Sequence, residues 1–441
     1  MSLAVFGNTD ARARPFDRRP SIVSVLDVGT SKVCCLIARL TPRGISDSLP
    51  GRTHSIEVLG IGHQRSRGIK SGVVSNLDQA EQAIRHAVDT AERMAGVTIE
   101  SLIVNLSCGR LASETYTASV ALSARAVEES DIGRVLAAGR RHSVTEGRSV
   151  VHSLPIGYSL DGDSGIADPR GMLGGRLGVD MHVVTADTPP LRNLELCINR
   201  CHLSIEMMVA TPYASGLSTL VDDEAELGAA CIDFGGGTTT LAIFLKGQFI
   251  HADAVAIGGH HITTDIARGL SARIEDAERL KTMHGSALPS VADDRDFLSV
   301  PPLSDDDGEV ATQVPRSALT RIVRPRVEEI LELVRDRLNA SGFAPLVGRR
   351  MVLTGGGSQL NGIVEAARRI LARNIRLGRP MGVSGMPEIA RGPAFAAVAG
   401  LLIYPQVAEM EQFDAGYETY FAKTGTGGYL ARVGQWFKES F

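Results

Sequence analysis

The chain has 441 residues, 44% of them hydrophobic and 22% charged, a typical globular composition at a length that favours two or more domains. A formal net charge of −4 does not indicate the basic surface typical of nucleic-acid-binding proteins. The sequence contains no run of 18 apolar residues, the length needed to span a membrane. The six cysteines lie in or beside apolar runs, so we expect reduced core cysteines in a cytosolic protein. Cys197, Cys201 and His202 could meet on one helix, but no fourth metal ligand is apparent.

Strand, turn and helix patterns alternate through the first half of the chain. Residues 1–20 hold arginines and a proline without an apolar signal core, and we expect a disordered extension. SIVSVLDVGTSKVCCLIARL predicts a strand, a tight glycine turn and a second strand. A helix capped by Asn76 and the strand ESLIVNLSC follow. Residues 106–180 then predict a small inserted α/β unit, followed by a helix, the strand IEMMVATP and the helix YASGLSTLV.

The opening pattern recurs at residue 228 as GAACIDFGGGTTTLAIFLKGQF. Asp27 and Asp233 stand 206 residues apart, each after an apolar run and before a glycine turn. This match indicates a duplication at domain scale, with parallel or mixed sheets and crossover helices. Two helices, a loop or hairpin over 284–317 and a long amphipathic helix containing Arg324 come next. RRMVLTGGGSQLNGIVEAARRIL then predicts a strand, a triple glycine and a helix.

Three glycine-rich turns carry the candidate chemistry: DVGTSK (27–32), DFGGGTT (233–239) and TGGGS (354–358). Glycine lets backbone N–H groups approach a phosphate, the Thr and Ser hydroxyls add donors, and a lysine supplies a point charge. An Asp at each of the first two strand ends suits a hydrated Mg²⁺. Each turn taken alone predicts an ordinary hairpin, whereas the matched pair favours two loops that grip a polyphosphate. The chain has no GxxxxGK[ST] loop and no GxGxxG that opens a helix.

These motifs resemble those of the actin/Hsp70/sugar-kinase superfamily, and more closely the FtsA-like bacterial cell-division proteins. LDVGTSKV, IDFGGGTT, GGHHITTDIARGL, DAERLK and VLTGGGSQL carry the resemblance, which covers residues 21–404 and the final helix. The inserted stretch DPRGMLGGRLGVDMHVVT distinguishes FtsA-like chains from actin and Hsp70. The implied fold is α/β and actin-like: two duplicated halves around a nucleotide cleft, a small α/β subdomain inserted in the first half, and a C-terminal amphipathic helix.

The resemblance also implies a role for each motif in binding ATP and Mg²⁺. The first phosphate loop would be Gly29, Thr30, Ser31 and Lys32, and the second Gly235, Gly236, Gly237, Thr238 and Thr239. Asp27 and Asp233 would orient Mg²⁺ and its waters. Glu278 and Lys281 would contact ribose and adenine, and Gly355, Gly356 and Gly357 would lie against the adenosine. A solvated ion pair on a helix surface is the alternative for Glu278 and Lys281.

The same resemblance divides the chain into segments. The first core subdomain is expected at 21–105 and 181–208, the inserted FtsA-type subdomain at 106–180, and the second core subdomain at 209–258 and 345–404. A small subdomain for adenosine contact and partner docking is expected at 259–344, a flexible tether at 405–427 and a membrane-targeting helix at 428–441.

One stretch departs from hydrolytically active relatives. Those relatives place a Gln or Glu to orient the attacking water ahead of a helix like YASG, whereas this chain has Met207 and Met208 in the loosely matching stretch. Rapid hydrolysis needs such a side chain, so we expect ATP to be bound and hydrolysed slowly or not at all. ATP is then an assembly ligand.

The last residues, YLARVGQWFKESF, form a candidate membrane-binding helix. Tyr429, Leu430, Val433, Trp436, Phe437 and Phe441 fall within an arc of about 140° at helical spacing. Arg432 and Lys438 lie on the polar side, where they suit anionic lipid. A helix docked on the protein's own core is the alternative, but the preceding tether and the family's membrane-targeting helix favour membrane binding. Such a helix binds weakly, so attachment would need the avidity of a polymer.

The leading functional hypothesis is therefore a structural adaptor. The resemblance implies a polymer on the cytoplasmic face of the inner membrane at the division site, which holds the C-terminal peptide of the tubulin-like FtsZ and recruits later divisome membrane proteins. Arg324 and Arg326 are candidate partners for acidic peptide groups, although either could be an ordinary surface charge. The alternatives are a sugar kinase, an Hsp70-like ATPase or a pilus-associated FtsA-like ATPase. No nucleic-acid partner is expected.

Overall fold

Strands and helices alternate throughout the computed structural model, which describes residues 20–44, 52–107, 110–139, 145–302 and 311–408. The strands are β1 (Ser21–Val28), β2 (Lys32–Pro42), β3 (His54–Arg65), β4 (Ile69–Lys70), β5 (Val73–Val74), β6 (Ser101–Leu106), β7 (Ala112–Ala126), β8 (Arg148–Leu160), β9 (Asp163–Ile166), β10 (Leu173–Asp187), β11 (Ser204–Ala210), β12 (Ala229–Phe234), β13 (Thr239–Leu245), β14 (Gln248–Val255), β15 (Phe297–Val300), β16 (Thr312–Pro315), β17 (Arg350–Thr354), β18 (Asn374–Leu377) and β19 (Val383–Ser384). The α-helices are α1 (Leu77–Ala95), α2 (Glu129–Gly139), α3 (Thr188–Arg200), α4 (Thr211–Thr219), α5 (Asp222–Leu227), α6 (Gly259–Gly269), α7 (Ile274–His284), α8 (Arg316–Ala340), α9 (Ile363–Leu371) and α10 (Ala396–Ile403).

Two sheets of the same topology form the centre of the molecule. The first has the order β11-β6-β1-β2-β3-β19, and the second, taken in the equivalent direction, has the order β18-β17-β12-β13-β14. In each sheet an antiparallel hairpin opens the half, and its first strand pairs in parallel with a later strand, β1 with β6 and β12 with β17. This repeated topology confirms the predicted duplication, hairpins and crossover helices.

The central strands are buried on both faces, which explains their nearly continuous apolar sequences. In β12, Ala229 and Cys231 pack into the core of the first half, whereas Ala230 and Ile232 pack into the core of the second. Strand β12 therefore runs along the junction of the two halves. Its penultimate residue, Asp233, is 7% exposed.

Helix α1 covers the outer face of the first sheet. Its predicted cap is confirmed, because the Asn76 side chain accepts a hydrogen bond of 3.0 Å from the Gln79 amide. The helix approaches β3 so closely that a Cβ at Gly62 would lie 1.7 Å from the Ala87 carbonyl oxygen. This packing fixes the hairpin that carries the first glycine turn.

A third sheet, of order β7-β10-β8-β9, forms the inserted subdomain with α2. Strand β10 continues to Asp187, so the predicted boundary at residue 180 falls inside a strand. The subdomain contacts β14 of the second half, where the His182 ring is 2.8 Å from the Phe249 carbonyl oxygen. The Ala252 amide donates to Ser113 Oγ at 3.1 Å across the same contact.

Helices α6, α7 and α8 and the hairpin β15–β16 pack on the second half. The hairpin lies within the stretch 284–317, which was predicted as a loop or hairpin. Helix α8 contains Pro325 and buries an apolar face formed by Leu319, Val323, Val327, Ile330, Leu331, Val334 and Leu338.

The segment from β19 to residue 408 returns to the first half, although 345–404 was predicted to belong to the second half. Strand β19 pairs with β3, and α10 packs on α4 so tightly that a Cβ at Gly400 would lie 1.7 Å from the Ala214 carbonyl oxygen. Val407 and Ala408 are 7% and 9% exposed, so the first four residues of the predicted tether, 405–408, are packed against this core. An all-apolar sequence in α10 explains this position, because such a helix is stable only when it is buried all round.

Two predicted segments, the extension 1–19 and the membrane-binding helix 428–441, lie outside the described residues, as does the rest of the tether. None of the helices that the structure describes is long and apolar enough to cross a membrane.

Candidate functional site

The first glycine turn joins β1 to β2 at the carboxyl end of β1. The Gly29 amide donates to the Lys32 carbonyl oxygen at 2.9 Å, which closes the turn. Asn105, at the end of the neighbouring strand β6, fixes the residues before the turn. Its Nδ2 donates to Asp27 Oδ1 at 2.7 Å, and its Oδ1 accepts the Val28 amide at 2.7 Å. Sequence analysis missed Asn105, although an asparagine in the apolar run LIVNL was the available signal.

Lys32 points back across this turn to the Asp27 carboxylate. Its Nζ lies 3.3 Å from Asp27 Oδ2, donates to the Ala394 carbonyl oxygen, and stands 5.0 Å from the centre of the Phe395 ring. Burial is the largest single influence and lowers the pKa of Lys32, but the charge and hydrogen bond of Asp27, together with the charges of Cys34 and Asp233, raise it above its usual value. The structure therefore holds a fixed positive charge beside the first turn.

The second glycine turn repeats the geometry of the first. The Gly235 amide donates to the Thr238 carbonyl oxygen at 3.0 Å, at positions that correspond to Gly29 and Lys32. Asp233, the counterpart of Asp27, accepts a hydrogen bond from Ser215 on α4. Burial raises the pKa of the Asp233 carboxyl to about 6; the Ser215 hydrogen bond opposes the shift, and the charge of Asp27 adds to it. Ser215 was also missed by the sequence analysis.

The two turns face each other at close contact. A Cβ at Gly236 would lie 2.1 Å from Ser31 Oγ, and a Cβ at Gly237 would lie 2.3 Å from Thr30 Oγ1. A side chain at either position would require Ser31 or Thr30 to move. The backbone N–H groups of Thr30, Ser31, Gly236 and Gly237 donate to no other part of the chain that the structure describes. Such a group of unshared donors from two opposed turns is suited to phosphate oxygens.

Two of the predicted hydroxyl donors make hydrogen bonds within the protein, one as a donor and one as an acceptor. Thr239 is 2% exposed, and its Oγ1 donates to the Ile257 carbonyl oxygen at 2.8 Å. Thr30 Oγ1 accepts the Gly72 amide at 3.0 Å, which leaves its proton available. Thr239 therefore supports the turn, contrary to the expectation that its hydroxyl faces a phosphate.

The third glycine turn lies against the second. Gly355 has φ of 85°, a left-handed conformation, and a Cβ there would lie 2.2 Å from Asp233 Oδ1. A Cβ at Gly357 would lie 2.7 Å from the Phe234 ring. The Gly355 amide donates to Pro393 at 3.2 Å, one residue before the carbonyl group that Lys32 contacts. All three predicted turns therefore meet around Asp27 and Asp233.

The predicted pair Glu278 and Lys281 joins the second turn through α6. Lys281 Nζ lies 2.7 Å from Glu278 Oε2 and donates to the Gly259 carbonyl oxygen at 3.1 Å. The Gly259 amide in turn donates to the Gly235 carbonyl oxygen at 3.0 Å. The Lys281 side chain is 15% exposed and that of Glu278 is 50% exposed, so the alternative of a solvated surface pair fits the glutamate but not the lysine.

The carboxylates at the cleft fit a hydrated divalent cation better than a closed protein cage. Among the described residues no group of three His, Cys, Asp or Glu side chains could ligate a metal ion. Mg²⁺ needs no such group, because it keeps several waters and binds through one or two carboxylates. Thr240 lies opposite Asp233 in the β12–β13 ladder, and its buried hydroxyl has no partner in the described structure. A water bound to the cation would satisfy that hydroxyl.

The remaining predicted residues lie away from this cluster. Met207 and Met208 lie within β11 and pair with β6, and neither offers a group that could orient water. Arg326 forms two hydrogen bonds to Asp265, at 2.6 and 3.2 Å, and also contacts Glu329. Arg324 lies 2.9 Å from Glu328. The predicted membrane-binding residues Leu430, Arg432, Val433, Trp436, Phe437, Lys438 and Phe441 lie outside the described residues.

Comparison with solved structures shows which fold family contains this arrangement. The PilM–PilN type IV pilus biogenesis complex matches 87% of this chain and 98% of its own with a TM-score of 0.59 and 15% identity. MreB5 of Spiroplasma citri bound to ADP matches 89% and 97% with a TM-score of 0.51 and 14% identity. At these identities the likeness shows the fold alone, which is actin-like as predicted.

Sequence comparison identifies the family. Residues 230–400 match the model of the cell division protein FtsA, and residues 108–185 match that of the SHS2 domain inserted in FtsA. The cell division protein FtsA of Rhizobium meliloti (strain 1021) is 60% identical, with both chains covered in full. FtsA of Pseudomonas aeruginosa is 34% identical over 94% of this chain and 97% of its own. The chain therefore belongs to the FtsA family of actin-like cell-division proteins and carries that family's inserted SHS2 domain.

Proposed function

We propose that this cell-division protein binds ATP with Mg²⁺ between the three glycine turns and assembles into a polymer when it does so. The observation that carries the proposal is the close contact of two equivalent turns, in which Gly236 faces Ser31 and four backbone N–H groups remain unshared. Opposed sets of backbone donors can bind a chain of phosphates from both sides. MreB5 of the same fold has been observed bound to ADP, which supports the choice of a nucleotide.

Each residue of the cleft has a role in this proposal. Lys32 neutralises phosphate charge, because its raised pKa keeps it protonated at neutral pH. Asp27 and Asp233 hold the waters of Mg²⁺, which would supply charge neutralisation for the polyphosphate. Glu278 and Lys281 contact the nucleoside, with Gly355, Gly356 and Gly357 against its other side. We do not expect rapid hydrolysis, because Met207 and Met208 supply no group that could orient a water.

The cellular role proposed for the polymer is a membrane adaptor. The family membership shows a cell-division protein, and we infer that it lies on the cytoplasmic face of the inner membrane at the division site. There it would bind anionic lipid through residues 428–441, hold the C-terminal peptide of FtsZ and recruit later divisome membrane proteins. For peptide docking we favour Arg324 over Arg326, because Arg326 is held by two hydrogen bonds to Asp265.

The segments have matching roles in the proposal. The two core subdomains form the nucleotide cleft, and residues 259–344 provide adenosine contact and partner docking. The identity of 60% over the full length of a cell division protein supports this assignment over a sugar kinase, an Hsp70-like ATPase or a pilus ATPase.

Substitution of a turn glycine tests the nucleotide site directly. In Gly236→Ala the new Cβ would lie 2.1 Å from Ser31 Oγ and 3.1 Å from its Cβ, so Ser31 must shift within the first turn and MgATP affinity should fall by at least about tenfold, or ~1.4 kcal/mol. Gly133→Ala on α2 is the matched control, since its Cβ meets nothing within 4 Å. Titration with a fluorescent ATP analogue measures both. Equal affinity of Gly236→Ala and the wild type would refute the site.

A further inference from the structure

Helix α4 lies between the nucleotide cleft and the inserted subdomain, and it makes specific contacts with both. Eight of its nine residues are buried, so the helix is enclosed by other elements along almost its whole length. Its first residue, Thr211, accepts a hydrogen bond of 3.2 Å from Asn105, the residue that fixes Asp27. One turn later, Ser215 donates to Asp233. Both cleft carboxylates are thus connected to one short helix.

The beginning of α4 is held by a histidine of the inserted subdomain. Ala210 precedes the helix and has no side chain that could cap it. The Ala210 amide instead donates to Nε2 of His152 on β8, at 2.9 Å, and the histidine is fully buried. A buried imidazole acceptor at this point fixes where the helix starts, because an unpaired buried amide is costly.

Aromatic packing strengthens the same junction. The His152 ring lies edge-on to Tyr213 of α4, with centroids 5.2 Å apart. Tyr213 stacks on Phe249 of β14 at 4.4 Å with the planes 5° apart. The His152 ring also contacts Tyr404 after α10, at 5.8 Å. The junction therefore joins the inserted subdomain, both halves and the returning C-terminal segment.

We propose that His152 is a positioning residue for the nucleotide site, acting through α4 on Asp27 and Asp233. The path consists of four hydrogen bonds: His152 with Ala210, Asn105 with Thr211, Asn105 with Asp27, and Ser215 with Asp233. The coupling is reciprocal, so a ligand that shifts the inserted subdomain relative to α4 changes nucleotide affinity, and nucleotide changes the affinity for that ligand by the same factor. The proposal rests on the proposed nucleotide site, but one arm of its test does not.

The first arm of the test needs no nucleotide. The Val28 amide donates to Asn105 Oδ1, so its hydrogen exchange reports how firmly Asn105 is held. In His152→Leu the Ala210 amide loses its acceptor, and we expect exchange at Val28 and at the start of α4 to accelerate about tenfold. His152→Gln offers a side-chain oxygen to that amide and should restore slow exchange. Unchanged exchange at Val28 in His152→Leu would overturn the proposal, whatever the nucleotide result.

The second arm measures ATP affinity with Mg²⁺ and with EDTA. In His152→Leu we expect the MgATP affinity to fall by at least about fivefold and the metal-free affinity to change less, because the carboxylates act through the metal. His182→Leu is the control, since His182 is a buried histidine of the same subdomain that hydrogen-bonds Phe249 and makes no hydrogen bond to α4 within the described structure. Equal losses in the two leucine variants would show general loosening and contradict the proposal. If the wild type binds no ATP, the nucleotide site fails and the exchange arm alone decides the role of His152.

Discussion

Asp233 is under electrostatic strain when it is ionised, and this strain can be measured. Its carboxyl is 7% exposed, and its pKa is about 6, above the usual value near 4. Between these two values the folded chain binds more protons than the unfolded chain, so the stability contributed by this group falls as pH rises through 6. Above that pH the ionised carboxylate costs folding free energy that a bound cation would offset.

Asp233→Asn should therefore stabilise the nucleotide-free protein at neutral pH. We expect the free energy of unfolding to rise by about 1–3 kcal/mol at pH 7.5, and the gain to shrink towards pH 5, where the wild-type carboxyl is protonated. Urea denaturation at the two pH values measures this. The same variant should lose Mg²⁺-dependent ATP binding. A loss of stability at pH 7.5 would contradict the assigned environment of Asp233.

Candidate cleft residues were predicted from the sequence where they belong to a glycine-turn motif. The residues that hydrogen-bond to those turns from other elements were missed. The glycines and Asp27 and Asp233 stand in recognisable turns. Asn105 and Ser215 do not: an asparagine within an apolar run signals a buried polar contact, but the sequence does not show which residue it contacts. Thr239 shows the converse, since its hydroxyl matched the motif but bonds to Ile257.

The docking of the inserted subdomain on β14 depends on a neutral histidine. Burial lowers the pKa of His182 to about 3, and the ring is held between Ser113 and Phe249. Below pH 6.5 the unfolded chain takes up a proton that the folded chain excludes, so stability contributed by His182 is present above pH 6.5 and is lost progressively as pH falls towards 3.

His182→Gln should remove that part of the pH dependence. At pH 5 the wild type should have lost about 2 kcal/mol through this group relative to pH 7.5, a loss that a glutamine does not suffer. Urea unfolding of both proteins at the two pH values isolates the effect as a difference, since other histidines titrate alike in each. Identical losses in the two proteins would show that His182 does not control the acid sensitivity.

Elements were predicted better than the way they combine. The hairpins, the helix capped by Asn76 and the inserted α/β unit followed from local periodicity. The return of α10 to the first half did not, because AAVAGLLI is apolar on every side and so does not indicate which sheet covers it. The contact of Gly400 with Ala214 is a long-range feature that only the fold displays.

Attachment of the assembled protein to a membrane is proposed to depend on residues 428–441. A chain ending at Gly427 should lose most co-sedimentation with anionic liposomes. Its ATP affinity should stay within about twofold of that of the full chain, because all the cleft residues precede residue 427. Trp436→Ala should give an intermediate loss, and Gln435→Ala on the polar side is its control. Equal sedimentation of the full and the shortened chain would show that residues 428–441 do not bind the membrane.

Electron microscopy on an anionic lipid monolayer tests nucleotide binding, polymer formation and membrane binding together. We expect filaments of the full chain with MgATP, and few or none with EDTA or with Gly236→Ala, because the alanine Cβ displaces Ser31 of the opposed turn from its place beside the phosphates. Gly133→Ala should form filaments like the wild type. Filaments that form equally with and without ATP, or that form in none of these conditions, would contradict the claim that nucleotide held between the two turns drives assembly.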